Sequence, residues 1–218
     1  MKPLVATLPN VLLKIENRLI TQMNQTDLLS FKNVICSISP ITDFEWDLFE
    51  KEIHEKVIEK KHFFTKPDDI CDSIGFILKG TFRTFYIDNN GEEITTHLHL
   101  ENKFIVDYES FITSKHSIFY IEALENSKIF YYKKETVEKL FNLYHNWEKF
   151  GRIIAEQVFI ISQKRFQSLL FQTAEQRYLG LLKEFPEIFQ RVPQYLIASY
   201  LGIKPQSLSR IRKQISRQ

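Results

Sequence analysis

The sequence is poor in cysteine and glycine, with two and six respectively among 218 residues, and it has no long apolar run. Because a membrane-spanning helix needs about 18–20 apolar residues, no such helix is predicted. Cys36 and Cys71 supply neither a disulfide framework nor the ligand set of a zinc or iron–sulfur site. Pro9 and Lys14 interrupt any signal-peptide core. The composition therefore predicts a cytoplasmic globular protein without a cofactor.

Acidic residues are absent after Glu187, although the chain carries 27 of them. Six of the 29 basic residues follow that position, so residues 1–187 carry a net charge of −4 and residues 188–218 carry +6. A basic module behind an acidic body indicates a polyanionic partner, most often nucleic acid, and the alternative is a solvated tail. The basic residues concerned are Arg191, Lys204, Arg210, Arg212, Lys213 and Arg217.

Sequence periodicity predicts two helices followed by a β-rich region. Apolar residues at helical spacing favour a helix over 27–38, and a capping box at Thr42–Glu45 begins a second one over about 43–51. From Val57 to Tyr132 the period changes to two, with a hairpin turn at Asn90–Gly91. Short strands with no helix between them predict an antiparallel, jelly-roll-like β-roll and an α+β fold.

A long helix is predicted after the strands, over about 147–171, preceded by a short one over 136–144. Its apolar residues cover more than one face, whereas a helix with one packed face shows a single stripe. A two-fold pair of these helices in a homodimer would cover the second face, and the alternative is a core helix of a monomer. A second capping box, Thr173–Gln176, begins the helical end of the chain.

The last two predicted helices, over about 194–201 and 205–216, have the pattern of a helix-turn-helix. Ala198 is small where the helices approach, and Gly202 suits the left-handed turn between them. The second helix presents polar and basic side chains that suit base edges and phosphates, and the alternative is an ordinary helical hairpin. The predicted DNA-binding residues are Gln206 and Arg210 at bases, Ser207 and Ser209 in support, and Lys204, Arg212 and Lys213 at phosphates.

These features together resemble a known family of proteins. A roll with Ile77–Gly80 and Asp88–Glu93, a long helix, a capped helix and a terminal Ala-x-x-x-Gly-x-x-x-x-x-Leu-Ser-Arg pattern are similar to the Crp–Fnr family of bacterial transcription regulators. The resemblance runs from about Met23 and is most specific at 73–91 and 197–213. It implies a cyclic nucleotide-binding-like roll, a dimerisation helix, double-stranded DNA as ligand and RNA polymerase as a partner.

The resemblance divides the chain into four parts: an N-terminal extension at 1–22, a sensor roll at 23–135, connecting and dimerisation helices at 136–172 and a DNA-binding domain at 173–218. The chain stops soon after Lys213, so the β-wing that follows the recognition helix in the family is expected to be truncated or absent.

The resemblance also places the ligand pocket, where this sequence departs from the family. Val106-Asp107 stand where members that bind cyclic AMP have Gly-Glu, and Ser117-Ile118 stand where they have Arg-Ser or Arg-Thr. Without the arginine a buried phosphate would lack its partner, so a small ligand other than cyclic AMP is expected. The candidate ligand-binding residues are Val106, Asp107, Ser117, Ile118 and Tyr120, and Lys115 and His116 leave a different anion open.

Two other functions have some support in the sequence. His97 and His99 share one face of a predicted strand, and Gly91 lies six residues before His97. This pattern is half of the metal motif of cupin metalloenzymes. The third ligand is missing, since Lys103 and Phe104 stand in its place, and no catalytic or metal-binding residue is predicted. The missing wing motivates the other function, a ligand sensor that acts on a protein partner without binding DNA, and the basic face of the last helix argues against it.

Overall fold

A computed structural model describes residues 23–216 of the chain. The predicted N-terminal extension at 1–22 and Arg217 lie outside these residues. Over the described range the chain folds as an antiparallel β-roll between helices, which confirms the predicted α+β class. None of the helices in that range is long and apolar enough to span a membrane.

The roll consists of two four-stranded antiparallel sheets. One sheet has the strand order β1-β8-β3-β6 and the other has the order β2-β7-β4-β5, so β5 is an edge strand. Both sheets contribute aliphatic side chains to one buried cluster, which includes Ile77, Ile105 and Ile121. The strands are β1 (His54–Ile58), β2 (Phe63–Thr65), β3 (Ser73–Lys79), β4 (Phe82–Ile87), β5 (Glu93–His99), β6 (Phe104–Ile105), β7 (Tyr120–Ala123) and β8 (Ser127–Lys133).

Helices on the outside of the first sheet enclose an aromatic core centred on Phe31. Its ring is fully buried and stacks on Phe76 of β3 at a centroid distance of 4.4 Å. The predicted capping box is confirmed, because the Thr42 N–H donates to Glu45 Oε2 over 2.7 Å. The helices around this core are α1 (Gln25–Ile38), α2 (Asp43–Glu50), α4 (Lys134–Leu143) and the N-terminal part of α5 (His145–Phe171).

The expectation of strands without an intervening helix is wrong at one place. The short helix α3 (Tyr108–Thr113) lies between β6 and β7. Asp107 caps it by accepting the Ser110 N–H, and Ser114 ends it in the left-handed conformation at φ 56°. A six-residue helix with Phe111 as its one large buried apolar side chain is too short to show a helical period.

The C-terminal helices form their own apolar core. They are α6 (Ala174–Glu184), α7 (Ile188–Arg191), α8 (Gln194–Tyr200) and α9 (Pro205–Ile215), and α7 is not predicted by the sequence. Leu181, Ile188 and Ile197 lie in this core. Leu100 of the roll belongs to the same cluster, with Leu98 and Leu124 packed against it, so the helices are joined to the roll.

His97 and His99 face the same way on β5, with ring centroids 5.9 Å apart. His99 Nε2 lies 2.9 Å from Thr84 Oγ1, and His97 Nδ1 lies 3.2 Å from Thr96 Oγ1. Between residues 23 and 216 no group of three His, Cys, Asp or Glu side chains is placed to hold a metal ion. The two imidazoles therefore have structural neighbours rather than a third ligand. Desolvation lowers the pKa of His99 to about 3, and the neighbouring His97 adds to the effect.

The His99 pKa predicts an acid-dependent loss of stability. Because the ordinary value of 6.5 exceeds the folded value of about 3, the unfolded chain takes up the proton first as the pH falls. His99 should therefore cost the folded state about 1.4 kcal/mol between about pH 7.5 and 5.5. Urea unfolding at both pH values measures this, and His99→Gln should remove that part of the change. His62→Gln, at an exposed position, should not alter the pH dependence of the free energy of unfolding. An unchanged pH dependence in His99→Gln would refute the prediction.

Candidate nucleic-acid interface

The turn between α8 and α9 has the geometry of a helix-turn-helix. Gly202 adopts φ 66°, which favours glycine, and directly follows the C-cap of α8. The Gly202 N–H donates to Ser199 O over 2.9 Å, and the Ile203 N–H donates to Ala198 O over 3.0 Å. These two bonds form a Schellman motif, which satisfies the last carbonyls of α8 and turns the chain. Pro205 then occupies the first turn of α9.

Apolar contacts fix which face of α9 is buried. Leu208 is 1% exposed and packs in the cluster with Ala198 and Ile197, which are fully buried. A helix with one anchored apolar stripe presents its opposite side to solvent. All of the predicted DNA-binding residues are exposed: Lys204, Gln206, Ser207, Ser209, Arg210, Arg212 and Lys213.

The exposed face of α9 is basic and carries no acidic residue. Gln206, Arg210 and Lys213 follow one another at spacings of four and three, which places them on one side of the helix. Among the described residues, the side chains of α9 on this face have no ion-pair or hydrogen-bond partner. Lys204, just before the helix, differs because its Nζ lies 3.1 Å from Glu92 Oε1. The face can therefore offer its donors to an anionic ligand.

Two arginines that the sequence analysis did not single out hold the end of α8. Arg165 of α5 donates to Tyr200 O and lies over the Tyr200 ring, with its Cζ 4.1 Å from the centroid. Arg177 of α6 donates from Nε to Leu201 O over 2.9 Å. Cations near a helix C-terminus satisfy its free carbonyls and its partial negative charge. Isolated arginines carry no sequence motif, so only their placement reveals this role.

The residues predicted to bind a ligand in the roll have separate surroundings. Asp107 is buried as the cap of α3, and Val106 packs against the aromatic core around Phe31. Ser117 is buried. Its hydroxyl donates to Phe119 O over 3.0 Å and accepts the Phe119 N–H over 3.0 Å. Ile118, the next residue, is exposed, and the Tyr120 ring stacks on Phe85 with ring centroids 4.7 Å apart.

A buried arginine elsewhere in the roll was also not predicted. Arg83 of β4 is 4% exposed, and its Nε lies 2.5 Å from Glu122 Oε2 on the adjacent strand β7. Its Nη2 lies 2.7 Å from Glu93 Oε2, at the start of β5. Arg83 therefore ties the hairpin between β4 and β5 to the body of the roll. The alternating pattern of the strand gave no signal for this role, because a buried arginine depends on its carboxylate partners.

Comparisons with known proteins agree with this architecture. Residues 55–144 match the family model of the cyclic nucleotide-binding domain. No curated protein sequence matches the chain. Three solved structures illustrate the fold. FixK2 from Bradyrhizobium japonicum has a TM-score of 0.65 at 17% identity, covering 76% of this chain and 85% of its own.

A Crp/Fnr-family transcriptional regulator from Eubacterium rectale has a TM-score of 0.63 at 15% identity, covering 80% of this chain and 83% of its own. The c-di-GMP-responsive global regulator CLP from Xanthomonas campestris has a TM-score of 0.62 at 14% identity, covering 81% and 92%. Residues 55–144 therefore match a cyclic nucleotide-binding domain, and the described chain shares the fold of the solved Crp/Fnr-family transcriptional regulator. The sequence-based resemblance to that family is confirmed at this level.

Substitution by alanine should have opposite effects on stability at two glycines, because Gly202 lies in a left-handed turn and Gly180 lies within a helix. Gly202→Ala forces a left-handed conformation on alanine and brings its Cβ to 3.3 Å from Leu169 Cδ2. It should destabilise the protein by about 1–2 kcal/mol. Gly180→Ala, within α6, meets no atom within 4 Å and should stabilise it by about 0.5–1 kcal/mol. Urea unfolding of both variants tests the pair, and equal shifts in the same direction would contradict it.

Proposed function

We propose that the protein is a sequence-specific DNA-binding transcription regulator that uses α9 as its recognition helix. The observation that carries this proposal is the exposed basic face of α9, which has no acidic residue and is held outward by the buried Leu208. A helix of this kind, following a tight turn, fits the major groove of B-form DNA. The fold that the chain shares with Crp/Fnr regulators supports the same function.

The residue types on α9 suggest separate roles. Arg210 and Gln206 lie one turn apart and suit hydrogen bonds to base edges in the major groove. Ser207 and Ser209 flank them and support those contacts. Lys204, Arg212 and Lys213 are assigned to backbone phosphates, which fix the position of the helix and supply most of the salt-dependent affinity.

Dimerisation is proposed through α5, because most of this 27-residue helix is unburied. Only its N-terminal residues Trp147 and Phe150 are buried within one chain. A second copy would cover its exposed apolar side chains and, by two-fold symmetry, place two recognition helices on an inverted repeat about 34–36 Å apart. These side chains are Phe159, Ile160, Ile161, Phe166, Leu169, Leu170 and Phe171.

A small ligand other than cyclic AMP is proposed as the effector of the roll. Ser117 and Ile118 carry no positive charge to pair with a buried phosphate, and the Ser117 hydroxyl is bonded within its own loop. RNA polymerase, implied by the family resemblance, is the expected protein partner at the promoter. The alternative function, a sensor that acts on a protein without DNA, is separated from this one by the next experiment.

Selection of random duplex DNA with the full chain should enrich an inverted repeat, since two symmetric helices read two half-sites. Arg210→Ala should lose about 1–3 kcal/mol of binding free energy and relax specificity at one base pair of each half-site. Lys213→Ala should weaken binding to all sequences and flatten its salt dependence. Lys183→Ala, an exposed residue of α6, serves as the control. The absence of any enriched sequence, with and without cell metabolites, would favour the alternative function.

A charge on the exposed face of α5 should separate the dimer. Phe159 is 65% exposed in the single chain, so Phe159→Glu should leave the fold intact but place a charge in the paired helices. Light scattering should then give 26.0 kDa, the mass of one chain, instead of twice that value. Gln157→Glu adds the same charge at an exposed polar position of the same helix and should remain dimeric. A dimeric Phe159→Glu would place the interface elsewhere.

A further inference from the structure

The helix-turn-helix lies against the edge of the sensor roll. β5 is the outermost strand of its sheet, and the Thr95 N–H on its free side donates to Ser199 Oγ of α8 over 2.9 Å. The same hydroxyl donates to Glu93 O over 3.1 Å. An uncovered edge strand exposes a row of unpaired backbone groups. Helix α8 therefore completes the edge of the roll as well as supporting α9.

Apolar side chains from both parts meet beside these hydrogen bonds. Leu98 and Leu100, at the end of β5 and just after it, join the cluster that contains Leu196 and Leu201. Leu100 is 7% exposed in this arrangement. Because apolar surface removed from water stabilises a contact roughly in proportion to its area, the docked position is a defined state of the molecule.

An ionic contact anchors the other side of the domain. Arg191 of α7 lies between two carboxylates of the roll, with Nη1 2.7 Å from Glu101 Oε2 and Nη2 2.6 Å from Glu101 Oε1. The same Nη2 lies 2.5 Å from Glu125 Oε1. The hydrogen bonds from Arg191 lower the pKa of Glu101 to about 2. A forked arginine–carboxylate pair of this kind fixes orientation as well as distance.

The residue just before the recognition helix is also engaged by the roll. Lys204 Nζ lies 3.1 and 3.2 Å from the two carboxylate oxygens of Glu92, in the hairpin between β4 and β5. Glu93, the next residue, is tied to the roll by Arg83. Lys204 is one of the ammonium groups assigned to a DNA phosphate. A phosphate and Glu92 would compete for it, and the carboxylate would repel the approaching DNA backbone.

From these contacts we infer that the sensor roll restrains its own DNA-binding domain, with Arg191 on Glu101 and Glu125 as the anchor and Glu92 as a competitor for DNA. This inference rests on the proposed DNA-binding function. An effector would matter to the extent that it binds the docked and released arrangements differently. The acidic body and the basic end of the chain thus attract each other, and the same basic end can attract an external polyanion.

Arg191→Ala tests the restraint because two physical effects have opposite signs. Loss of a cation should by itself weaken binding to DNA. Release of a restrained domain should instead strengthen it, and we expect the site obtained by selection to be bound about fivefold tighter or more. Lys183→Ala removes one charge from the same domain without touching the roll, and its affinity should be unchanged or slightly lower. Ser199→Ala removes two hydrogen bonds between α8 and β5 without a change of charge. This variant should also bind DNA more tightly.

Amide hydrogen exchange supplies a readout that needs no DNA. The Thr95 amide should exchange faster in Arg191→Ala than in the unmodified chain, since its acceptor Ser199 Oγ lies across the contact. Amides of β4, which is paired on both sides, should stay protected and show that the variants are folded.

The outcomes separate the restraint from the proposed function. Faster exchange with tighter binding supports the inference. Unchanged exchange at Thr95 in Arg191→Ala, or faster exchange with equal or weaker DNA binding, overturns it. Faster exchange in a protein that selects no DNA sequence would support the docking while refuting the DNA-binding function.

Discussion

Arg165 and Arg177 donate hydrogen bonds to the carbonyl oxygens of Tyr200 and Leu201 at the end of α8, and this clamp helps to position α9, the proposed recognition helix. Helix α8 is short, so its free carbonyls are a large part of its hydrogen-bonding requirement. Because Arg165 belongs to the long helix α5, the orientation of α8 follows that helix. The Gly202 turn then transmits the orientation to α9. A dimer formed through α5 would thereby align both recognition helices.

Among the described residues, the basic ones near the end of the chain fall into two groups, those without an ion-pair partner and those paired with carboxylates. The basic residues of α9 remain exposed, whereas Arg191 and Lys204 are satisfied by carboxylates of the roll. Partly buried pairs such as Arg191–Glu101 are screened less by salt than the exposed pair of Lys204 and Glu92. The contact between the roll and the C-terminal helices therefore combines a partly buried ion pair with a weaker, exposed one.

The roll, which matches a cyclic nucleotide-binding domain, pairs two of its buried charged groups within the chain. The charge of its buried arginine, Arg83, is paired with Glu122 and Glu93, while Arg83 Nη1 has no partner among the described residues. Asp107 is likewise used, as the cap of α3. Charged groups that already have internal partners are costly to redirect toward a ligand.

Local patterns in the sequence determined the elements whose signals are short-range. The capping boxes at Thr42 and Thr173, the Gly202 turn and the exposed face of α9 were all predicted, because caps, turns and helical periods involve residues within about four positions. The helix α3 was missed because it is too short to show a period. Tertiary structure alone decided the partners of Arg83, Arg165 and Arg191, since these ion pairs and clamps join residues far apart in the chain. The docking of α8 on the edge of β5 belongs to the same category, because which surface covers an edge strand depends on how the domains pack.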